Sequence, residues 1–245
     1  MSNFNVIKLD AIPSTNDWLK DLSMQGKAVD GDVVWVLDQT HGRGQRENVW
    51  QSQAGKSLTM SVFKCHNAFD AKQSFLINCT VSLAICHTLK NHYHLDVKVK
   101  WPNDILSAGK KIGGLLIENI ILGNRIKASV VGVGINVNQD KFENLPQASS
   151  LFLQTGCGTE ITTLLEQTLD ALGFYFDRLD QKNPMLMLSE FEQCLFKKDE
   201  VSVFFDGEKE FEAIIRGVTA QGWLRLEQSS GTMVEWVSGS LQMRY

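Results

Sequence analysis

The chain has no C-x-x-C pair, no G-x-S-x-G, no excess of basic charge and no apolar run near the ~20 residues that cross a bilayer. Each absence removes a class of protein. Its five cysteines, Cys65, Cys79, Cys86, Cys157 and Cys194, are scattered and odd in number, which fits neither a zinc framework nor a disulfide scaffold. Reduced cysteines in a cytoplasmic protein are expected. The five histidines do not group: His92 and His94 are two apart in an expected polar loop, His66 and His87 are isolated, and His41 adjoins a motif. No histidine metal site is expected from them. Ser57 and Ser61 lack a nucleophile-elbow setting. Cys65 precedes His66, but neighbouring side chains on a strand face opposite ways, which excludes a dyad. A net charge of −4 and a pI near 5.8 argue against a general nucleic-acid binder, because no basic field would neutralise a phosphate backbone. A small anion held by a few placed cations stays open. The N-terminus has no basic segment followed by an apolar stretch, so no signal peptide is read there.

What is present is an ordinary globular balance, 43% hydrophobic and 21% charged, in 245 residues, enough for one large core and a smaller module. Pro13-Ser14-Thr15-Asn16-Asp17 is a capping run, and the spacing of Trp18, Leu19 and Leu22 predicts a short helix over 14–23 capped by Ser14 or Thr15. Val33 to Leu37 reads as a buried strand, and residues 57–63 as an alternating one. Residues 71–91 place Phe75, Leu76, Cys79, Leu83, Cys86 and Leu89 on one stripe, predicting a long amphipathic helix. Residues 97–101 alternate up to Pro102. Residues 105–106 and 112–121 flank a turn at 107–110 as a hairpin, and 125–133 form a strand running into Gly134-Ile135-Asn136. Residues 161–179 return to helix. After Asn183-Pro184 a short helix over 185–195 leads into short strands (201–205, 211–218, 223–227, 234–237) separated by turn residues, the texture of a small all-β barrel. Two domains follow, 1–197 and 198–245.

Four stretches hold the chemistry. His41-Gly42-Arg43-Gly44-Gln45-Arg46 puts arginine forks on a glycine-loosened loop, suited to phosphate or carboxylate oxygens; alone it is equally a mobile polar loop. Lys100-Trp101-Pro102-Asn103-Asp104 places a lysine and a carboxylate at a strand end, where Asp104 suits magnesium, directly or through water. Lys111-Ile112-Gly113-Gly114 sets an ammonium at the core's edge beside glycines that admit a close neighbour. Gly132-Val133-Gly134-Ile135-Asn136 has two glycines inside a β-branched strand; without a third glycine or a following helix it is no dinucleotide fingerprint. A ligand approach and a tight strand crossing both account for it.

In this order, together with Pro13-Ser14-Thr15-Asn16 and Gln39-Thr40, the stretches resemble the biotin protein ligases (biotin–[acetyl-CoA-carboxylase] ligases) over nearly the whole chain. The resemblance implies an α+β fold: a mixed-sheet catalytic domain with helices packed on it, then a small SH3-like domain. It implies that biotin and ATP form biotinyl-5′-adenylate with magnesium, and that the biotinyl group passes to one lysine of a biotin carboxyl carrier domain. Carried over, Ser14, Thr15, Asn16, Gln39, Gly42, Arg46, Gly113 and Gly114 stand at biotin. Arg43 grips the biotin carboxylate and the adenylate phosphate, and Lys111 lies at the acyl-phosphate; these two are the catalytic candidates. Trp50, Lys100, Asn103 and Asn136 join them at the nucleotide, with Asp104 at magnesium. Closure of the glycine loop over the adenylate is expected to exclude water. Glu47 departs from the family's more usual glycine, and His41 from a commonly small residue. The first site match falls at Ser14, so a monofunctional ligase without a DNA-binding repressor module is expected, cytoplasmic and monomeric or homodimeric. The rival within the fold is a lipoate ligase or octanoyltransferase; the rival outside it is a non-catalytic binding module.

Overall fold

The computed structural model describes residues 4–46, 48–180 and 184–245; Glu47 and Asn183 lie outside them. Within these, the chain runs β1 (Asn5–Ile12), α1 (Thr15–Met24), β2 (Asp32–Gln39), β3 (Ser57–Asp70), α2 (Phe75–Tyr93), β4 (Val97–Lys100), β5 (Asp104–Ser107), β6 (Lys110–Leu122) and β7 (Arg125–Asn136). It continues with α3 (Leu151–Thr155), α4 (Ile161–Asp180), α5 (Pro184–Gln193) and strands β8 (Val201–Phe205), β9 (Glu210–Val218), β10 (Leu224–Gln228), β11 (Met233–Trp236) and β12 (Gln242–Arg244).

Strands β1 to β7 form one mixed sheet in the order β1-β2-β3-β7-β6-β5-β4; β1 pairs β2 in parallel and every other pairing is antiparallel. Successive strand residues face opposite ways, and here they feed two separate cores. Val33, Val62 and Val131 join the large cluster under α2 and α4, whereas their neighbours Val34, Phe63 and Val130 join Leu19 of α1. Helix α1 therefore covers the face opposite α2 and α4. Gly132 and Gly134, which share a face with Val130, lie on the α1 side, and so does Ser61 beside Phe63.

Three expectations change. Residues 57–63 are a strand, but every one is buried, because β3 lies inside the sheet with helices on both faces. The helix expected over 71–91 begins only at Phe75, after a 3₁₀ turn at Ala71–Gln73, and is buried on nearly every side. It is wedged between the sheet, α4 and α5, so it has no broad polar face. His92 lies in its last turn and His94 is its left-handed C-cap (φ 54°), not in a loop. Strand β1, the exposed sheet edge, and the short α3 and β12 leave no clear mark in the residue pattern.

The second sheet is all antiparallel, in the order β11-β10-β9-β8-β12. It is tied directly to the first module: Trp101 Nε1 donates to the Gly222 carbonyl (2.9 Å) and Val218 N–H to the Glu192 carboxylate (2.8 Å). Phe204, Ala213, Ile215, Leu224 and Leu226 belong to the same apolar cluster as α2 and α4.

Candidate active site

Helix α1 starts at the site because Ser14, in extended conformation, caps it and accepts the Asp17 N–H at 3.3 Å. This leaves Ser14, Thr15 and Asn16 buried at the helix N-terminus. Thr15 donates its N–H (2.9 Å) and hydroxyl (3.1 Å) to the side-chain carbonyl of Gln39, at the end of β2. The buried Ser61 hydroxyl lies 2.7 Å from Thr15 Oγ1 and 2.6 Å from Asn16 Oδ1, with one proton shared between the two. Asn16 donates in turn to the Leu116 carbonyl (3.2 Å) and Glu118 Oε2 (2.8 Å) on β6. A Cβ on Gly132 would collide with Asn16 Oδ1, so a glycine is required below it.

The arginine loop folds as a small hairpin. Trp50 N–H donates to the Gly42 carbonyl (2.9 Å), Gly44 N–H to the Asn48 carbonyl (2.7 Å), and Arg43 bridges to Val49. A Cβ on Gly42 would meet the Trp50 carbonyl. The Trp50 indole lies against Gly134, where a Cβ would strike it, and against Gly114, the residue paired with Gly134 across β6 and β7. The two glycines of the β7 stretch are thus explained separately: one admits Asn16, the other Trp50.

Arg43 does not point at Lys111. Its guanidinium bonds to the Asp17 carboxylate and, at 3.2 Å, to Glu118 Oε1, and Lys20 joins the same pair at 3.0 and 2.9 Å. Burial pushes both carboxyls up. For Asp17, Lys20 and Arg43 outweigh this and hold the group below its ordinary value; for Glu118, Lys20, Asn16 and Arg43 do so. Burial pulls the Arg43 guanidinium down, and Glu118 and Asp17 more than restore it. Arg46, expected at biotin, lines the same cleft and donates to the Ser238 and Gly239 carbonyls at 2.8 Å each. His41 is exposed; its N–H holds the Pro13 carbonyl (2.9 Å) and its Nδ1 lies 3.1 Å from the Thr40 hydroxyl.

The lysines meet at Asp104. Lys111 Nζ lies 2.6 Å and Lys100 Nζ 3.7 Å from its carboxylate oxygens. Hairpin β5–β6 makes the first contact possible, and the four-residue step along the chain the second. Asn103 is fixed to the Leu115 carbonyl at 2.6 Å, and Trp101 Nε1 donates to the Gly222 carbonyl of the second module at 2.9 Å. Tyr245 places its ring 5.0 Å from Lys100 Nζ; burial, then Asp104, pushes its hydroxyl up to about 12.

A cleft of about 620 Å³ joins these groups. All the candidate residues border it except Gly42, Gly113 and Asn136. Gly42 and Gly113 act one layer out, where Gly113 lets the Gly134 carbonyl come close. Asn136 is buried and donates to the Ser149 carbonyl (2.9 Å), bracing the wall. Asp17, Lys20, Ser61 and Glu118 were missed. Asp17 directly follows the Ser-Thr-Asn run, but its partners lie on β6 and the glycine loop and leave no trace in sequence. No grouping of three His, Cys, Asp or Glu side chains suited to a metal occurs among the described residues.

A mixed sheet with helices on both faces, an all-β module closing one end, and a cleft lined by Arg43, Lys100 and Lys111 make up an architecture shared with protein ligases. The chain belongs to the biotin/lipoate A/B protein ligase family, whose model matches residues 9–136. It is an enzyme of that ligase family. It is 27% identical over 242 residues to the bifunctional ligase/repressor BirA of Escherichia coli K12, spanning 98% of this chain and 74% of that one. To the biotin–[acetyl-CoA-carboxylase] ligase of Mycobacterium tuberculosis it is 26% identical over 233 residues, 93% of this chain and 86% of that one. Its fold matches the biotin protein ligase from Aquifex aeolicus solved with biotin and ATP, with a TM-score of 0.81, 24% identity and 98% of each chain covered.

Proposed function

We propose that the chain is an ATP-dependent biotin protein ligase that forms biotinyl-5′-adenylate and transfers biotin to one lysine of a biotin carboxyl carrier domain. The observation that carries this reading is one cleft lined both by the neutral hydrogen-bonding groups of Ser14, Thr15, Asn16 and Gln39 and by the cations Arg43, Lys111 and Lys100. The first set suits an uncharged ring with amide-like groups; the second suits a carboxylate meeting a triphosphate.

In the first step a biotin carboxylate oxygen attacks the α-phosphorus, the bond to the β-phosphate oxygen breaks, and pyrophosphate leaves. Bringing these anions together is the main barrier, and fixed cations lower it. Arg43 reaches the ligand oxygens by leaving Asp17 and Glu118, between which Lys20 stays and offsets one of the two charges. Lys111 lies across the cleft at the acyl-phosphate. Asp104 is ion-paired to Lys111 and Lys100, so it would reach a magnesium ion only if those lysines turned to the phosphates, with phosphate and water oxygens filling the rest of the metal's shell. When bound, magnesium would neutralise phosphate charge. Trp50 covers the nucleotide from the loop side, with Asn103 and Asn136 ordering the walls. In the second step the carrier lysine's amine attacks the mixed anhydride carbonyl, AMP leaves, and the amine loses a proton.

A repressor role is not part of this reading. The net charge of −4 opposes a phosphate-backbone partner. A cytoplasmic location is part of the same proposal, and no described helix is long and apolar enough to cross a membrane.

The test is transfer of labelled biotin to a biotin carboxyl carrier domain with ATP and magnesium, with lipoate as competitor. Biotin incorporation that lipoate neither matches nor blocks, and that falls at least about 100-fold in Arg43→Ala, is expected, since removing one transition-state donor costs that much. Transfer of lipoate or octanoate instead would move the substrate to the rival family. ATP-independent biotin binding alone would make the chain a binding module.

A further inference from the structure

We infer that Arg46 is a positioning residue that fastens the 42–46 segment to the second module, so that the C-terminal sheet holds that side of the cleft in place. The inference rests on the ligase reading, because that reading supplies the intermediate the cleft retains. Nothing in the residue pattern around Arg46 separates it from Arg43: both are arginines on one short glycine loop. The geometry separates them. Arg43 turns inward to Asp17 and Glu118, whereas Arg46 turns outward to the Ser238 and Gly239 carbonyls, 2.8 Å each.

Three features make this a built contact. A planar guanidinium presents parallel N–H groups, which suits two successive carbonyls and which a lysine ammonium cannot reproduce. Arg46 adopts φ 58°, a left-handed conformation that costs a side-chain-bearing residue free energy and persists only where surrounding contacts fix it. Gly239 has φ 80°, and a Cβ there would run into the Arg46 guanidinium, so the receiving turn must be bare at that position. That turn is shaped independently: Ser240 returns its N–H (3.2 Å) and hydroxyl (2.8 Å) to the Val237 carbonyl.

The contact bears on the cleft because both of its ends border it. The loop brings Arg43 and Trp50; the turn runs into Leu241, Gln242 and Met243, which line the opposite wall. The base of the loop is held by its own backbone bonds and by Trp50 on Gly134. The 42–46 segment is held to the facing wall by Arg46. A mixed anhydride survives only where water is excluded, so the lifetime of this bridge sets how long the adenylate stays bound. The second module then acts in the first step of the reaction without supplying a group that touches the reacting atoms.

The experiment loads the full-length protein with labelled biotin and ATP without carrier, then follows escape of the adenylate after a chase of unlabelled biotin. Arg46→Ala is expected to speed escape about tenfold, the scale of a charge-assisted hydrogen-bond pair that is exposed to water. Arg46→Lys, which can reach one carbonyl but not both, is expected between the two. Gly239→Ala is expected to speed escape in the native background and to add little in the Arg46→Ala background, since the bridge it blocks is already gone. Thermal unfolding of each variant checks the fold. Unchanged escape in Arg46→Ala, or effects of Arg46→Ala and Gly239→Ala that add in full, would overturn the inference. If the native protein forms no adenylate, the ligase reading fails instead. The bridge is then decided by trypsin cutting after Arg43, expected to be faster in Gly239→Ala than in the native protein; equal cutting would overturn it.

Discussion

His66 shows how much one buried side chain on β3 can decide. It is 5% exposed, with its Nε2 2.9 Å from the Ser129 hydroxyl, which in turn donates to Asn119 Oδ1 at 2.6 Å. Burial, then Lys64, lowers its pKa to about 4 against a partial offset from Asp30. Between the unfolded value near 6.5 and about 4, the unfolded chain binds a proton that the folded chain refuses. Stability therefore falls as pH drops through that window, by at most about 3 kcal/mol, and His66 adds nothing further below it. The lowered carboxyls of Asp17 and Glu118 contribute in a separate, more acid window, below their ordinary values of 3.8 and 4.5. Urea unfolding from pH 7.5 to 4.5 is expected to show this limb in the native protein and a flatter one in His66→Gln, which keeps a donor toward Ser129. Equal slopes would remove His66 as the cause. The same scale shows what a sequence hides. Cys65 exposed beside His66 buried was legible from strand alternation, whereas the Ser129 partner, 63 positions away, was not.

At the scale of elements, what could be read was whatever depended on neighbours in the chain. Helix α1 and its cap, the β5–β6 hairpin and the four motif stretches all follow from turn chemistry and spacing within a few residues. Reading failed where an element's character depends on what covers it. Helix α2 has a stripe of apolar residues, but α4, α5 and the sheet enclose its other sides as well. Strand β1 gives a weak signal because an exposed edge strand needs no continuous apolar face. The site divides the same way: the motifs placed Arg43, Lys111 and Asp104 in one cleft, yet the carboxylates that hold Arg43 come from α1 and β6 and surface only in the fold. The α1 cap is where element and site can be separated. Ser14→Ala should cost about 1 kcal/mol of stability through the lost cap and weaken biotin binding as well. Ser14→Asp keeps a capping oxygen, and its charge suits a helix N-terminus, so stability should stay near native. Biotin binding should still fall, because a carboxylate replaces a neutral hydroxyl at the ring pocket. Calorimetric biotin titration beside thermal unfolding distinguishes the two, and native-like binding in Ser14→Asp would take Ser14 out of the ring pocket.

For the whole molecule, the step from the mixed sheet to the antiparallel sheet that begins at β8 is a change of architecture more than a gap in the core. Trp101, in the middle of a site motif, donates across it to Gly222. Gly222, at φ 86°, leaves no room for a side chain because Phe75 fills the space. Phe75 packs edge-on against Phe191, 5.3 Å between centroids, at the base of α5. On the other flank, Glu192 accepts the Val218 N–H (2.8 Å) and Arg225 (3.1 Å). A small sheet that buries one face against α2 and α5 has little apolar area left to form a core of its own, and modules this small are marginal by themselves. The two modules are therefore expected to unfold together. Native-state hydrogen exchange at rising denaturant should give the amides of β9 and β10 the same limiting free energy of opening as those of α2. Opening of β9–β10 at clearly lower denaturant would show the second sheet to be an independent unit. In that case the Trp101–Gly222 and Glu192 contacts would be surface adhesion, too weak to tie the cleft's far wall to the lysines of the site.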